Sequence, residues 1–183
     1  MTNNTSKAIQ IAVISDGNTS LIVEALTKLG RGEIKVCGVS NPLPTVDVVI
    51  CESDNAEVFF KVISHYKETS TKVICAFNFG IGGCATVIAH DVKKVVFAQP
   101  GQTESAVKTM LDCTAGYSRF WHISRNSWLL EAEQWLSKRG VSEAVGEYTM
   151  AAMVAHITAA ILAGNETKTY PKFYLSTIVN DVY

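Results

Sequence analysis

The stretch from Thr45 to Ile88, TVDVVICESDNAEVFFKVISHYKETSTKVICAFNFGIGGCATVI, constrains the fold of this chain more than any other. Val46-Asp47-Val48-Val49-Ile50 is almost wholly apolar, without the polar alternation of a half-wet strand, so it suits a strand covered on both faces in a parallel sheet. Glu52-Ser53-Asp54-Asn55 follows as a polar turn. Ser53, Asp54 or Asn55 each suits the N-cap of a helix beginning near Ala56, and Glu57 puts an acid in the first turn, where the helix dipole favours it. A second buried strand and a glycine-rich exit come next. Strand, polar turn and helix N-terminus therefore meet at one point, the place where open α/β sheets bind their ligands.

The rest of the chain builds around that point. Ile9 to Ile14 is a first strand and Ser15 to Ser20 the turn after it. Leu21, Ile22, Ala25, Leu26 and Leu29 recur at helical spacing, and Gly30 stands where a helix end wants a left-handed residue. Glu33 to Val39 is a second strand, and Ser40-Asn41-Pro42-Leu43-Pro44 is a connection that cannot be helix interior. Ala85 to Ala89 and Lys93 to Ala98 suggest an edge hairpin around His90-Asp91. Thr103 to Asp112 reads as a helix, Tyr117 to Trp128 as an irregular aromatic segment, and Trp128 to Arg139 and Val145 to Ala163 as two more helices. Tyr170 to Val179 would be a last strand or arm. The alternation predicts an α/β, Rossmann-like domain: a mainly parallel sheet with helices on both faces and an antiparallel edge, in one domain over 1–183, with 1–7 disordered.

Composition excludes several classes. A formal net charge of -1 with scattered lysines and arginines argues against nucleic acid as a partner. Tyr148 to Leu162, the most apolar long segment, is too short to span a bilayer and reads as a buried helix, so no membrane association is expected. Met1 to Lys7 lack the apolar core of a signal peptide, which predicts a cytoplasmic protein. The five cysteines form no C-x-x-C pair, so neither a metal site nor a disulfide framework is expected.

Asp16, Gly17 and Asn18 stand in the turn where a dinucleotide fold carries G-x-G-x-x-G, yet two of the three glycine positions are Ser15 and Ser20. The second strand ends Val36-Cys37-Gly38-Val39-Ser40, without the acid that would hold an NAD ribose. Cys113 reads as a helix-end packing residue or a thioester cysteine, and His156 as a core or interface histidine. Trp121, His122 and Arg125 form the better candidate contact surface for a partner.

The order of first strand and glycine turn, then D-V-V-I-C-E-S-D-N, then K-V-I-C-A-F-N-F-G-I-G-G-C-A-T-V-I resembles the ThiF/MoeB family, whose larger relatives are the ubiquitin-activating enzymes. The late helix G-E-Y-T-M-A-A-M-V-A-H-I-T-A-A-I-L-A-G before K-F-Y-L is similar to that family's late helix and terminal strand. The resemblance implies that Asp54, with Asn55 beside it, matches the acidic residue near ATP and magnesium, and that Gly17 matches the middle of the phosphate turn. Gly80, Gly82 and Gly83 would match the glycine segment under the acyl acceptor's tail. Adenylating members carry a long segment with an Arg and a Lys before the acidic turn; here it is reduced to Ser40 to Pro44, without a basic residue. The paired zinc cysteines are also missing. Such shortened members resemble the ThiF-like portions of ribosomal-peptide cyclodehydratases, whose extra N-terminal peptide-binding module is expected to be missing here.

The resemblance thus implies a subunit without catalytic residues and with no cofactor, which binds a peptide or small carrier protein and works as a homodimer or heterodimer. The alternative is a small nucleotide-binding enzyme, adenylating or dinucleotide-dependent, that uses ATP or a dinucleotide at the Gly17 turn and Asp54.

Overall fold

The computed structural model describes residues 8–17, 19–138 and 143–177. The expectations for 1–7, Asn18, Arg139, Ile178 and Val179 lie outside the described residues.

Six strands form one sheet in the order β2-β1-β3-β4-β5-β6. They are β1 (Gln10–Ser15), β2 (Glu33–Gly38), β3 (Val48–Glu52), β4 (Lys72–Asn78), β5 (Gly82–Ile88) and β6 (Tyr174–Thr177). The first four run parallel, and β5 and β6 each pair antiparallel with their neighbour. The five α-helices are α1 (Ser20–Leu29), α2 (Ala56–Tyr66), α3 (Ala106–Phe120), α4 (Trp128–Lys138) and α5 (Glu143–Leu162), with a 3-10 turn at Ser124–Asn126.

The apolar runs bury both faces of the sheet, as their composition requires. Ala12, Ile14, Val49, Cys51 and Phe77 face one layer, built by α2, α3 and α4. Ile11, Val13, Ile50, Ile74 and Val87 face the other, built by α1 and α5. Alternate residues of each strand thus serve opposite cores. Gly30 ends α1 in the left-handed region, at φ 62°, and its N–H donates to the Thr27 carbonyl. Of the three candidate caps for α2 it is Asn55 that serves: its side chain accepts from the Glu57 N–H at 2.9 Å.

Four expectations are corrected. Lys93 to Ala98 is not a strand, because the second edge of β5 is taken by β6, with Ala85 opposite Tyr174 and Gly82 opposite Thr177. The apolar residues of that segment serve packing: Phe97 is fully buried, with its ring 5.3 Å from Phe59 and 4.8 Å from Phe77. The aromatic segment is partly helical, since α3 runs on through Tyr117 to Phe120. Cys113 lies mid-helix on α3 and is exposed, unlike the buried Cys37, Cys51, Cys75 and Cys84. Finally, α5 is longer than Tyr148 to Leu162, and its stretch Ala144–Leu162 is long and apolar enough, by length and composition, to cross a bilayer. Here Met150, Val154 and Ile157 of that helix are buried against the sheet.

Candidate functional site

The chain leaves β1 toward β2 on one side and returns to β3 on the other, so the sheet's switch point lies between the carboxyl ends of β1 and β3. Ser15 and Glu52 end those two strands directly opposite each other. Their side chains fall on the α1/α5 face, and the Ser15 hydroxyl donates to Glu52 Oε2 at 2.7 Å. The same hydroxyl accepts the Gly17 N–H at 2.8 Å. One residue further along, the Ser53 hydroxyl donates to Asp16 Oδ2 at 2.7 Å and accepts the Asn55 N–H at 2.9 Å. Two serine relays therefore join the turns after β1 and β3 across the crevice.

The electrostatics of this point are acidic. Burial pushes the Glu52 carboxyl above its ordinary range; the Ser15 hydrogen bond opposes that shift, and Asp16 and Glu147 add to it. Among the described residues no Lys or Arg is ion-paired to Asp16, Glu52 or Asp54. A Cβ at Gly17 would lie 4.0 Å from Glu52 Oε2, so the Glu52 carboxylate stands beside the turn where a phosphate would approach. Carboxylates can hold the magnesium of a magnesium triphosphate but not its phosphates, and among the described residues no Lys or Arg is ion-paired to the carboxylates here.

Asp54 is exposed and committed elsewhere. Its carboxylate accepts a hydrogen bond from the Ser105 hydroxyl, and its carbonyl accepts the Ala106 N–H at 3.0 Å. Ser105 in turn caps α3 by accepting the Lys108 N–H. Asp54 thus ties the start of α3 to the end of β3. Beyond it lies a cavity of about 470 Å³ bordered by Lys108, Asp112, Arg119 and Glu133. Both cations there have partners: Lys108 lies 2.6 Å from Asp112, and Arg119 pairs with Glu133.

Gly80, Gly82 and Gly83 are buried under this chain's own side chains. Gly80 has φ 80°, and a Cβ there would fall 2.2 Å from Trp135. At Gly82 it would meet Trp128 and the Ser176 carbonyl, both at 2.6 Å, and at Gly83 the backbone of Met150 at 3.3 Å. The N-terminal part of α5 closes the crevice further. The Gly146 N–H donates to the Gly80 carbonyl at 2.8 Å, and a Cβ at Gly146 would lie 1.8 Å from Asn78 Oδ1.

The remaining candidates lie at the other end of α3, twelve residues past Ser105 at Tyr117, or about 18 Å of helix. Phe120 and Trp121 are 73% and 60% exposed, enough to make them contact surface rather than core. His122 has φ 51° and borders a cavity with Arg119. Arg125 borders a separate groove along β6 with Lys168 and Lys172. The structure therefore gathers Asp16, Gly17, Asp54 and Asn55 at the crevice and sets Trp121, His122 and Arg125 apart from it. Sequence reasoning missed Glu52 and Ser15, although an acid closing an otherwise apolar strand is a signal. The Cys113 thiol is pushed up by partial burial and by Asp112, opposite to what a thioester nucleophile requires.

Crevice, sheet order and flanking helices define an open, doubly covered α/β domain of Rossmann-like type. No protein-family model matches the chain, and no curated protein matches it. Several solved structures resemble it in fold. A heterocyclase in complex with substrate and cofactor matches 86% of this chain with 16% identity and a TM-score of 0.45. The E. coli microcin synthetase McbBCD complex matches 98% with 9% identity and a TM-score of 0.42, and E. coli MccB matches 92% with 10% identity and a TM-score of 0.44. The chain spans 20%, 69% and 55% of those three chains, respectively. At these values the likeness is one of fold alone, and the chemistry rests on this chain's own residues.

Proposed function

We propose that this chain is a ThiF-like binding or scaffold subunit of a cytoplasmic peptide-modification pathway. It binds a peptide or the tail of a small carrier protein, works in a homodimer or heterodimer, and does not form an acyl adenylate by itself. One observation carries this proposal: the Glu52 carboxyl group stands beside the Gly17 turn, with Asp16 and Glu147 pushing it further above its ordinary range and no ion-paired cation among the described residues to offset them. A triphosphate needs the reverse arrangement, since phosphoryl charge is held by cations and free backbone amides. The Gly17 amide is already donated to Ser15. The exposed Phe120 and Trp121 offer the kind of aromatic surface that a binding subunit presents to a partner.

ATP-pyrophosphate exchange tests the proposal. The isolated protein is expected to show none, and exchange that disappears in Asp54→Ala would overturn it. The second reading, a small nucleotide-binding enzyme that uses the Gly17 turn and Asp54, draws on the cavity beside Asp54, which Lys108 and Arg119 line. Calorimetric titration with ATP, AMP, NAD and NADP separates the two, because heat from any of them favours the enzyme.

A further inference from the structure

The C-terminal end of α3 inverts the order expected of an amphipathic helix. Along its first turns Val107, Met110 and Leu111 are buried, but around its last turns the small Thr114, Ala115 and Ser118 are buried while Tyr117, Phe120 and Trp121 are exposed. The rings adjoin in a row: between ring centres, Phe120 lies 5.1 Å from Trp121, Trp121 6.3 Å from Tyr117, and Tyr117 5.5 Å from the partly buried Phe173. A lone exposed apolar side chain calls for no explanation, whereas a contiguous aromatic surface marks a place of contact. The chain beyond it is held in place. The His122 N–H donates to the Arg119 carbonyl at 3.2 Å, the Ile123 N–H to the Ser118 carbonyl at 2.9 Å, and Asn126 Nδ2 to the Ser118 hydroxyl oxygen at 3.0 Å. A surface fixed before binding loses less entropy when a partner arrives.

Charge narrows the partner. Arg125 stands four residues past Trp121 and Lys172 directly before Phe173; both are exposed, and among the described residues neither is in an ion pair. The two border one depression together with Tyr117, Phe173 and Lys168, and among the described residues no Asp or Glu borders it. Lys168 is engaged, with its ammonium 5.1 Å from the Tyr174 ring, and Arg119 is compensated by Glu133. The uncompensated charge beside the aromatic rings is therefore positive, in a chain whose formal net charge is -1. Aromatic residues and Arg are the types that dominate protein contacts, and a positive rim selects a negative partner.

Resting on the binding-subunit proposal, we infer that the aromatic end of α3 docks an acidic polypeptide segment, which packs an apolar side chain on Phe120 and Trp121 and sets its carboxylates against Arg125 and Lys172. A bilayer fits less well, because the cations border a depression that a flat surface does not enter. A nucleic acid also fits less well, because tracking its phosphates takes a longer row of cations.

Fluorescence anisotropy tests this with the full protein and a labelled peptide of three Glu-Glu-Leu repeats. Binding should be saturable, and a peptide of three Lys-Lys-Leu repeats should not bind. Replacing each Leu of the probe by Ser, or combining Phe120→Ser with Trp121→Ser in the protein, should weaken binding by about tenfold or more, because each removes the apolar contact. The reversal Arg125→Glu with Lys172→Glu should weaken binding of the acidic probe by about tenfold and let the basic probe bind. All four side chains are exposed, so circular dichroism should stay unchanged in both double variants. No saturable binding, or binding unchanged in either double variant, overturns the docking surface. So does tighter binding, through the same residues, of a thymidylate dodecamer or of phosphatidylcholine vesicles containing phosphatidylserine. Saturable peptide binding together with ATP-pyrophosphate exchange would keep the surface and overturn the non-adenylating proposal. The absence of both would overturn the surface and leave that proposal standing.

Discussion

The two ends of α3 border regions made of opposite materials. At its start the crevice is acidic and already satisfied: Ser15 and Ser53 hold Glu52 and Asp16, Ser105 holds Asp54, and α5 lies over the carboxyl end of β4. Beyond its far end the groove along β6 is lined by Arg125, Lys168 and Lys172 and by Tyr117 and Phe173. The position where this fold type offers a ligand site is thus internally bonded. A fold's inherited crevice is not evidence of its use; the charge balance and the hydrogen bonds already spent there decide that.

The largest effect that bears on this contrast is predicted at Gly146. Gly146→Ala should destabilise by about 3 kcal/mol, since the new methyl collides with Asn78 and with the Gly80 backbone where α5 closes the crevice. The melting temperature would fall by about 10 °C. Gly116→Ala on α3 has open space and should instead stabilise by about 0.5–1 kcal/mol through helix propensity. Equal effects at the two glycines would break the claim that α5 is locked onto the crevice.

A smaller effect is expected at Glu52, with a defined sign in pH. Its folded-state carboxyl is raised, so it disfavours folding once pH rises above the ordinary carboxylate range, and the penalty is complete above the raised value. Glu52→Gln should match the wild type at acid pH and melt about 2–4 °C higher at neutral pH. Thermal melts across pH 4–8, about the carboxylate range and above, would check this. A pH-independent difference would show that the crevice carboxylate is not strained.

Asp54→Ala should cost about 1 kcal/mol by releasing the α3 cap, and Ser105→Ala a similar amount. The double variant should cost less than the sum, as denaturant titration would show, because both act through one tether. Smallest of all, Arg125→Ala, Lys168→Ala and Lys172→Ala should each change stability by less than about 0.5 kcal/mol, since their side chains are exposed.

Much of the fold was legible in the sequence. The first three strands and the first helix fall within two residues of the expected positions, and the second helix starts at Ala56 as expected, because continuous apolar runs and Gly30 are local signals. The Lys93 to Ala98 hairpin was misread because β5 takes as its partner a strand nearly ninety residues later, and no local pattern announces a distant pairing. Phe97 looked like strand because a core plug and a strand share composition. At the site, Asp16, Gly17, Asp54 and Asn55 were readable from the turns after two strands. Glu52 was not, since its role depends on Ser15 standing opposite it, a register that exists only in the assembled sheet. The β6 groove was half legible: Arg125 was flagged, but Lys168 and Lys172 come from a loop that only the fold brings beside it.

One measurement tests the crevice directly. Backbone amide chemical shifts of the full protein would be recorded as magnesium ATP is added. The account predicts no saturable shift at Ser15 to Gly17 or Glu52 to Asn55. Saturable shifts there would contradict it.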